Sequence, residues 1–133
     1  MNRSLDDESR AALVEYRVEK SDDAIKEARL LAENLHFDSA VTRLYYACFY
    51  VATALLIKNK IETGSHKGVK SMLSLKFVVP GKLDKKYVGI YTNLFNGRQL
   101  SDYEDFVYQN KESFDIYFEM ASDFISEIKK LLN

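Results

Sequence analysis

Tryptophan is absent from this chain of 133 residues, and cysteine and proline each occur once. The lone cysteine, Cys48, excludes an intramolecular disulfide; set in an apolar run, it reads as a small core residue in a reducing compartment. One proline and five glycines leave few chain breakers, which favours long helices over many turns. Charge of one sign is not in excess: 19 basic side chains face 20 acidic ones, for a net charge of -1. Without a global positive field, generic DNA binding by charge alone is excluded, and only a local basic site on a neutral body stays open. Residues 1–10 are polar and acidic, with no apolar core for a signal peptide. The most membrane-like window, residues 40–57, contains Arg43, Thr42, Thr53 and three tyrosines. It barely reaches the length of a bilayer span, so a helix buried on all sides explains it better. The expectation is a cytoplasmic protein without a membrane partner.

What the chain does contain is ordinary for a globular protein, with 47% hydrophobic and 29% charged residues, but it is rich in Tyr (nine) and Phe (eight). Its length suits a single domain over 1–133 with one substantial core. Ser4, Asp6, Asp7 and Glu8 mark a helix start, and Leu13, Tyr16, Ala24, Ala28, Leu31 and Leu35 make an apolar stripe that runs to about residue 34. Asp38 is a candidate N-cap for a second helix over 39–58 that is apolar nearly all round and so belongs at the centre of a bundle. Ser65 caps a shorter helix from residue 66 to about 77, which Pro80-Gly81 ends. A fourth helix follows over 83–97, with Leu83, Tyr87, Ile90 and Leu94 in register. The last, over 111–132, carries Phe114, Tyr117, Ala121, Phe124, Ile128 and Leu131 at a/d spacing. No run alternates with period two. The predicted fold is an all-α, up-and-down bundle of about five helices, with neighbours antiparallel across short connections.

Chemistry concentrates in Asn96-Gly97-Arg98-Gln99-Leu100-Ser101-Asp102-Tyr103. Arg98 and Asp102 are four apart and share a face if the helix continues, with Tyr103 next round. The cluster either ties one helix end to its neighbour or uses Arg98 as a bidentate phosphate ligand. A second stripe, Arg43, Tyr46 and Tyr50, lies at i, i+3, i+7 on the apolar second helix. It either lines a cleft with Arg98 or lets Arg43 satisfy groups inside the bundle, since a charge there needs a partner or an opening to water. His66 and Lys67 open the third helix, at an N-terminus that is either an anion site or a plain capped surface. Glu33-x-x-His36 matches half of a di-iron ligand set, but two histidines in the whole chain are too few to complete it. No metal and no cofactor is expected, and no phosphate-binding glycine loop or serine triad is found.

Arg43-Leu44-Tyr45-Tyr46-Ala47-Cys48-Phe49-Tyr50, then Ser65-His66-Lys67-Gly68-Val69, then Leu94-Phe95 leading into Arg98 and Asp102-Tyr103, closely resemble the HEPN domain. The small stand-alone prokaryotic members look nearest, and the resemblance spans about residues 12–124 in order. It implies a helical bundle that forms a homodimer, often a metal-independent endoribonuclease. Many members are toxins paired with a nucleotidyltransferase-like antitoxin. The family's active motif is an Arg, four to six variable residues and a His. Arg98 matches the Arg, while Tyr103 stands where the His is expected, and no histidine follows His66. The tyrosine that a partner can adenylylate in the toxin subgroup is replaced by Asp105. Cleavage through a 2′-hydroxyl needs proton-transfer groups that titrate near neutrality. A phenol at its ordinary pKa near 10 is only about a thousandth ionised at pH 7, and a carboxylate near 3.9 is a weak base. The expected function is therefore an interaction or regulatory module that binds a nucleotidyltransferase-like partner, or a nucleotide or RNA phosphate. The alternative is a divergent ribonuclease toxin in which Arg98 holds phosphate and Asp102 or Tyr103 moves protons. Arg43, Tyr46, Tyr50, His66 and Lys67 are the candidate substrate-binding residues.

Overall fold

The computed structural model describes residues 5–102 and 106–133, and these form five α-helices with no strand among them. The helices are α1 (Asp7–Glu33), α2 (Phe37–Lys58), α3 (His66–Leu73), α4 (Lys86–Ser101) and α5 (Lys111–Leu132). A π-helical turn, Ser74–Val78, continues α3 and aims Phe77 into the core. α2 contacts each of the other four helices and supplies the largest set of buried side chains, among them Ala40, Leu44, Ala47, Cys48, Val51 and Leu55. It alone among the described helices is long and apolar enough to cross a membrane, and most of it is buried inside the bundle.

Side-chain pairs fix the helix directions. Ser21 Oγ donates to the Ala47 carbonyl at 2.7 Å and Glu27 meets Arg43, so α1 and α2 are antiparallel. Phe37 packs on Phe114, and Lys58 Nζ donates to the Leu132 carbonyl, so α2 and α5 run the same way. Tyr87 bonds Asp123 while Gly97 sits against Tyr117, so α4 opposes α5. The result is an up-and-down arrangement of α1, α2, α4 and α5, with α3 packed on α2 and α4. Fully buried Ala24 and Ala28 on α1, with Ala40 and Ala47 on α2, explain the close approach of those two helices.

Local chemistry accounts for most element ends. Asp6, Ser65 and Asn110 accept from the amides of Ser9, Gly68 and Ser113, and Asn110 with Ser113 forms a reciprocal capping box. α1 and α2 both end in Schellman motifs built without glycine. Leu35 (φ 65) and Lys60 (φ 62) adopt the left-handed conformation, and the next amides, of His36 and Ile61, reach back to Leu31 and Leu56.

Several expectations about individual residues are overturned. Asp38 does not cap α2, which begins two residues earlier, at Phe37, with His36 at the cap position. The Asp38 carboxylate instead accepts from the amides of Tyr108 and Gln109, at 3.3 and 2.9 Å, and pins the chain that enters α5. Tyr16 and Leu35, read as part of the buried stripe of α1, are exposed. α4 runs from Lys86 to Ser101 rather than over 83–97, so Arg98 lies within the helix and Leu83 precedes it; Leu83, Tyr87 and Leu94 are buried as read, and Tyr91, left out of that set, is fully buried.

Candidate phosphate site at the crossing of α2, α3 and α4

Arg98 sits one turn from the end of α4, where Gly97 lets the helix press against Tyr117 of α5. A β-carbon at Gly97 would lie 2.8 Å from that ring. The Arg98 side chain reaches toward α2. There its guanidinium carbon lies 5.3 Å from the centre of the Tyr46 ring, 5.7 Å from Tyr45 and 5.9 Å from Phe95. Asp102 caps α4 through its amide, which donates to the Arg98 carbonyl. Its carboxylate stands 3.6 Å from Arg98 Nε, inside ion-pair range but beyond hydrogen-bond reach. Arg98 Nε is shielded from solvent and has no hydrogen-bond acceptor among the described residues. Asn96, Gln99 and Leu100 complete an open cleft beside Arg98 and Asp102. Tyr103 lies outside the described residues.

Arg43 reaches the same ring from the other direction. Its guanidinium carbon is 5.5 Å from the centre of Tyr46, and Glu27 is its distant partner at 3.9 Å. Arg43 Nε is likewise shielded and lacks an acceptor among the described residues. Tyr46 leans on Tyr50 at 6.1 Å between ring centres. Arg98, Arg43, Tyr46 and Tyr50 are thus gathered into one patch. Two cations converge on one ring, each with an unmet donor and only a loose anionic partner.

His66 comes to this patch from α3. Ser65 caps the helix, and a β-carbon at Gly68 would overlap the Thr63 hydroxyl, so the Ser-His-Lys-Gly sequence holds the first turn tightly. His66 Nδ1 is 3.0 Å from the Tyr45 hydroxyl. Its ring stacks on Phe95 at 3.7 Å and on Tyr91 at 4.8 Å. Burial, and then the positive charges of Lys70 and Arg98, hold its pKa below the usual histidine value. His66 is therefore mainly neutral at pH 7. Lys67 is exposed, and no contact joins it to the cluster among the described residues; Lys70, one turn further, is the lysine whose charge bears on the imidazole.

Tyr45, Tyr91 and Phe95 were missed as site residues. Burial raises the Tyr45 phenol above its ordinary pKa despite the opposing effects of Tyr91 and Arg98, and burial raises Tyr91 further. Both phenols stay protonated and serve as hydrogen-bond groups. The signal for Tyr45 was present in the aromatic run Tyr45-Tyr46-x-x-Phe49-Tyr50, but helix periodicity assigned it to the core. His36 is exposed at the start of α2, and no group of three metal-ligating side chains exists among the described residues.

The HEPN domain family profile matches residues 14–132. The chain belongs to the HEPN family. It is 32% identical over 120 residues to a UPF0332 protein of Thermotoga maritima, a match covering 90% of this chain and 91% of that protein. Two proteins of Methanocaldococcus jannaschii are also similar. The one named "Putative toxin MJ0605" is 34% identical, covering 90% of this chain and 88% of that one. The one named "Putative toxin MJ0142" is 29% identical, covering 90% and 81%. Family membership places the Arg98 and Ser65-His66-Lys67-Gly68 segments of this HEPN chain within one matched region.

Proposed function

We propose that this HEPN protein is a toxin-like module whose Arg98 and Arg43 receive a phosphate of RNA or of a nucleotide. The observation that carries the reading is the convergence of two guanidinium groups on Tyr46, both with shielded, unpartnered Nε donors. Like charges so placed are relieved by a shared anion, and phosphate oxygens match the planar donors of arginine. The two M. jannaschii relatives named as toxins support the toxin-like setting. Within it the protein works in the cytoplasm as a homodimer, with a nucleotidyltransferase-like protein as its regulatory partner. The motif is degenerate at residue 103, where Tyr stands for the family's His. Titration of a labelled short RNA against the wild type and Arg98→Ala tests the reading. Saturable binding lost in the variant supports it; equal binding by both removes it.

His66 favours a second reading, a metal-independent ribonuclease. Although no histidine follows Arg98 in the sequence, the fold brings one beside the Arg98 patch, neutral and held by the Tyr45 hydroxyl. In that role His66 accepts the proton of a 2′-hydroxyl as its oxygen bonds to phosphorus. The bond from phosphorus to the 5′-oxygen breaks, and water protonates the leaving oxygen. The products are a 2′,3′-cyclic phosphate and a 5′-hydroxyl. Cleavage of a mixed RNA pool in EDTA, lost in both His66→Ala and Arg98→Ala, is the expected result. Binding without cleavage returns the protein to the first reading.

A further inference from the structure

The alternation of cations and rings does not stop at Tyr46. Tyr50 follows one turn along α2, its ring 6.1 Å from Tyr46 and inclined by 32°. Lys20 of α1 places its ammonium 5.0 Å from the centre of Tyr50 and 5.5 Å from that of Tyr16. A strip therefore crosses three helices in the order Arg98, Tyr46 with Arg43, Tyr50, Lys20, Tyr16. The strip lies outside the fully buried set of α2: Tyr46 and Tyr50 rest against the core but stay half-buried, and Tyr16 is 54% exposed. Cation–aromatic contacts near the surface contribute little to folding. The charges are only loosely paired: Asp102 stands 3.6 Å from Arg98 Nε. Glu27 meets Arg43 only at 3.9 Å, and no carboxylate lies within ion-pair distance of Lys20 among the described residues.

We propose that this strip is a track for single-stranded RNA, with phosphates on Arg98, Arg43 and Lys20 and bases against Tyr46, Tyr50 and Tyr16. It rests on the phosphate reading of Arg98 and extends the RNA path away from that site. Interleaved cations and aromatic rings are how extended single strands are bound without a strong sequence preference, since every base offers a π-face. The 6.1 Å between Tyr46 and Tyr50 exceeds the rise of about 3.4 Å between stacked bases in a duplex strand, so the rings suit an unstacked chain. Three phosphate contacts on a body of net charge -1 also predict a shallow salt dependence, a log–log slope near -2.

Fluorescence anisotropy with a labelled oligouridylate of about ten nucleotides, a usual single-strand site size, and with a dinucleotide tests the track. Tyr50→Ala is expected to weaken the longer RNA about tenfold, while Tyr50→Phe binds like the wild type. Lys20→Ala is expected to lower the salt slope by about 0.7. Lys20→Ala, at the far end of the strip from Arg98, should not alter dinucleotide binding. If Arg98→Ala abolishes binding of both RNAs but Tyr50→Ala and Lys20→Ala leave the longer one unchanged, the track is wrong and the phosphate site stands. If the wild type binds neither RNA, both fail. Sedimentation of each variant supplies the remaining outcome: a changed oligomeric state with unchanged RNA affinity makes the strip a protein interface and overturns the proposal.

Discussion

Asp102→Asn separates a phosphate site from a helix-end tie because the two give opposite signs. The carboxylate lies 3.6 Å from Arg98 Nε, with the two side chains 52% and 29% exposed. An ion pair that loose and that wet contributes between 0 and about 1 kcal/mol to folding. Asparagine keeps the shape, and the backbone there (φ -79, ψ -7) suits it without strain. The melting temperature should therefore fall by a few degrees at most. If Arg98 is poised for phosphate, Asp102 is its resident competitor, and removing that negative charge strengthens binding of an anion. The gain is bounded by the same ion-pair energy, so the affinity for a short RNA rises by up to about fivefold at low salt. The effect shrinks as added salt screens the pair. Arg98→Ala, by contrast, removes charge-assisted hydrogen bonds of about 1.5–3 kcal/mol and weakens binding tenfold or more. Anisotropy titrations at two ionic strengths, paired with melting curves, measure both variants. Weaker binding by Asp102→Asn from a folded protein would refute the competitor argument and make Asp102 part of the binding surface.

Other variants report on the fold and on His66. Because burial, Lys70 and Arg98 lower the His66 pKa, the unfolded chain binds more protons than the folded one just below the ordinary value near 6.5. The contribution is present above that pH and is lost as pH falls through the folded pKa. Melting curves from about pH 7.5 to 5.5 should thus show a larger fall in the wild type than in His66→Asn. Tyr45→Phe keeps the ring under Arg98 but removes the hydroxyl facing His66 Nδ1, with an expected loss near 1 kcal/mol by urea denaturation. Leu35→Gly should gain about 0.5–1 kcal/mol in the same assay, since Leu35 holds φ 65 and its side chain is 75% exposed. Ala28→Leu inserts three carbons where α1 meets the core at 0% exposure, and should cost about 1–3 kcal/mol.

Periodicity made the helices legible, because an apolar stripe at 3.6-residue spacing is a property of one segment. α5 was read to its ends from its stripe alone: Phe114, Ala121, Phe124 and Ile128 are inside, and the structure adds Asn110, which closes the first turn. Contacts between segments were not legible. Asp38 looks like a cap from its neighbours, yet its carboxylate is taken by amides at Tyr108 and Gln109, about half the chain away. The motifs located Arg98, Arg43, Tyr46, Tyr50 and His66, and the stripe on α2 was visible as i, i+3, i+7. Periodicity says which residues share a helix face; it does not say which faces meet. That is why Tyr45, buried in the core as its helix pattern suggests, was not also seen to touch His66 and Arg98. It is also why the absence of a histidine after Arg98 weighed so heavily. Sequence order measures distance along the chain, whereas a proton or a phosphate responds to distance in space. α3 packs on α2 and α4 and brings the His66 imidazole against Phe95 and Tyr45, near Arg98, from the N-terminal side of the sequence. Which residue follows Arg98 in the motif and which residue stands beside it in space are therefore separate questions, and only the second bears on chemistry.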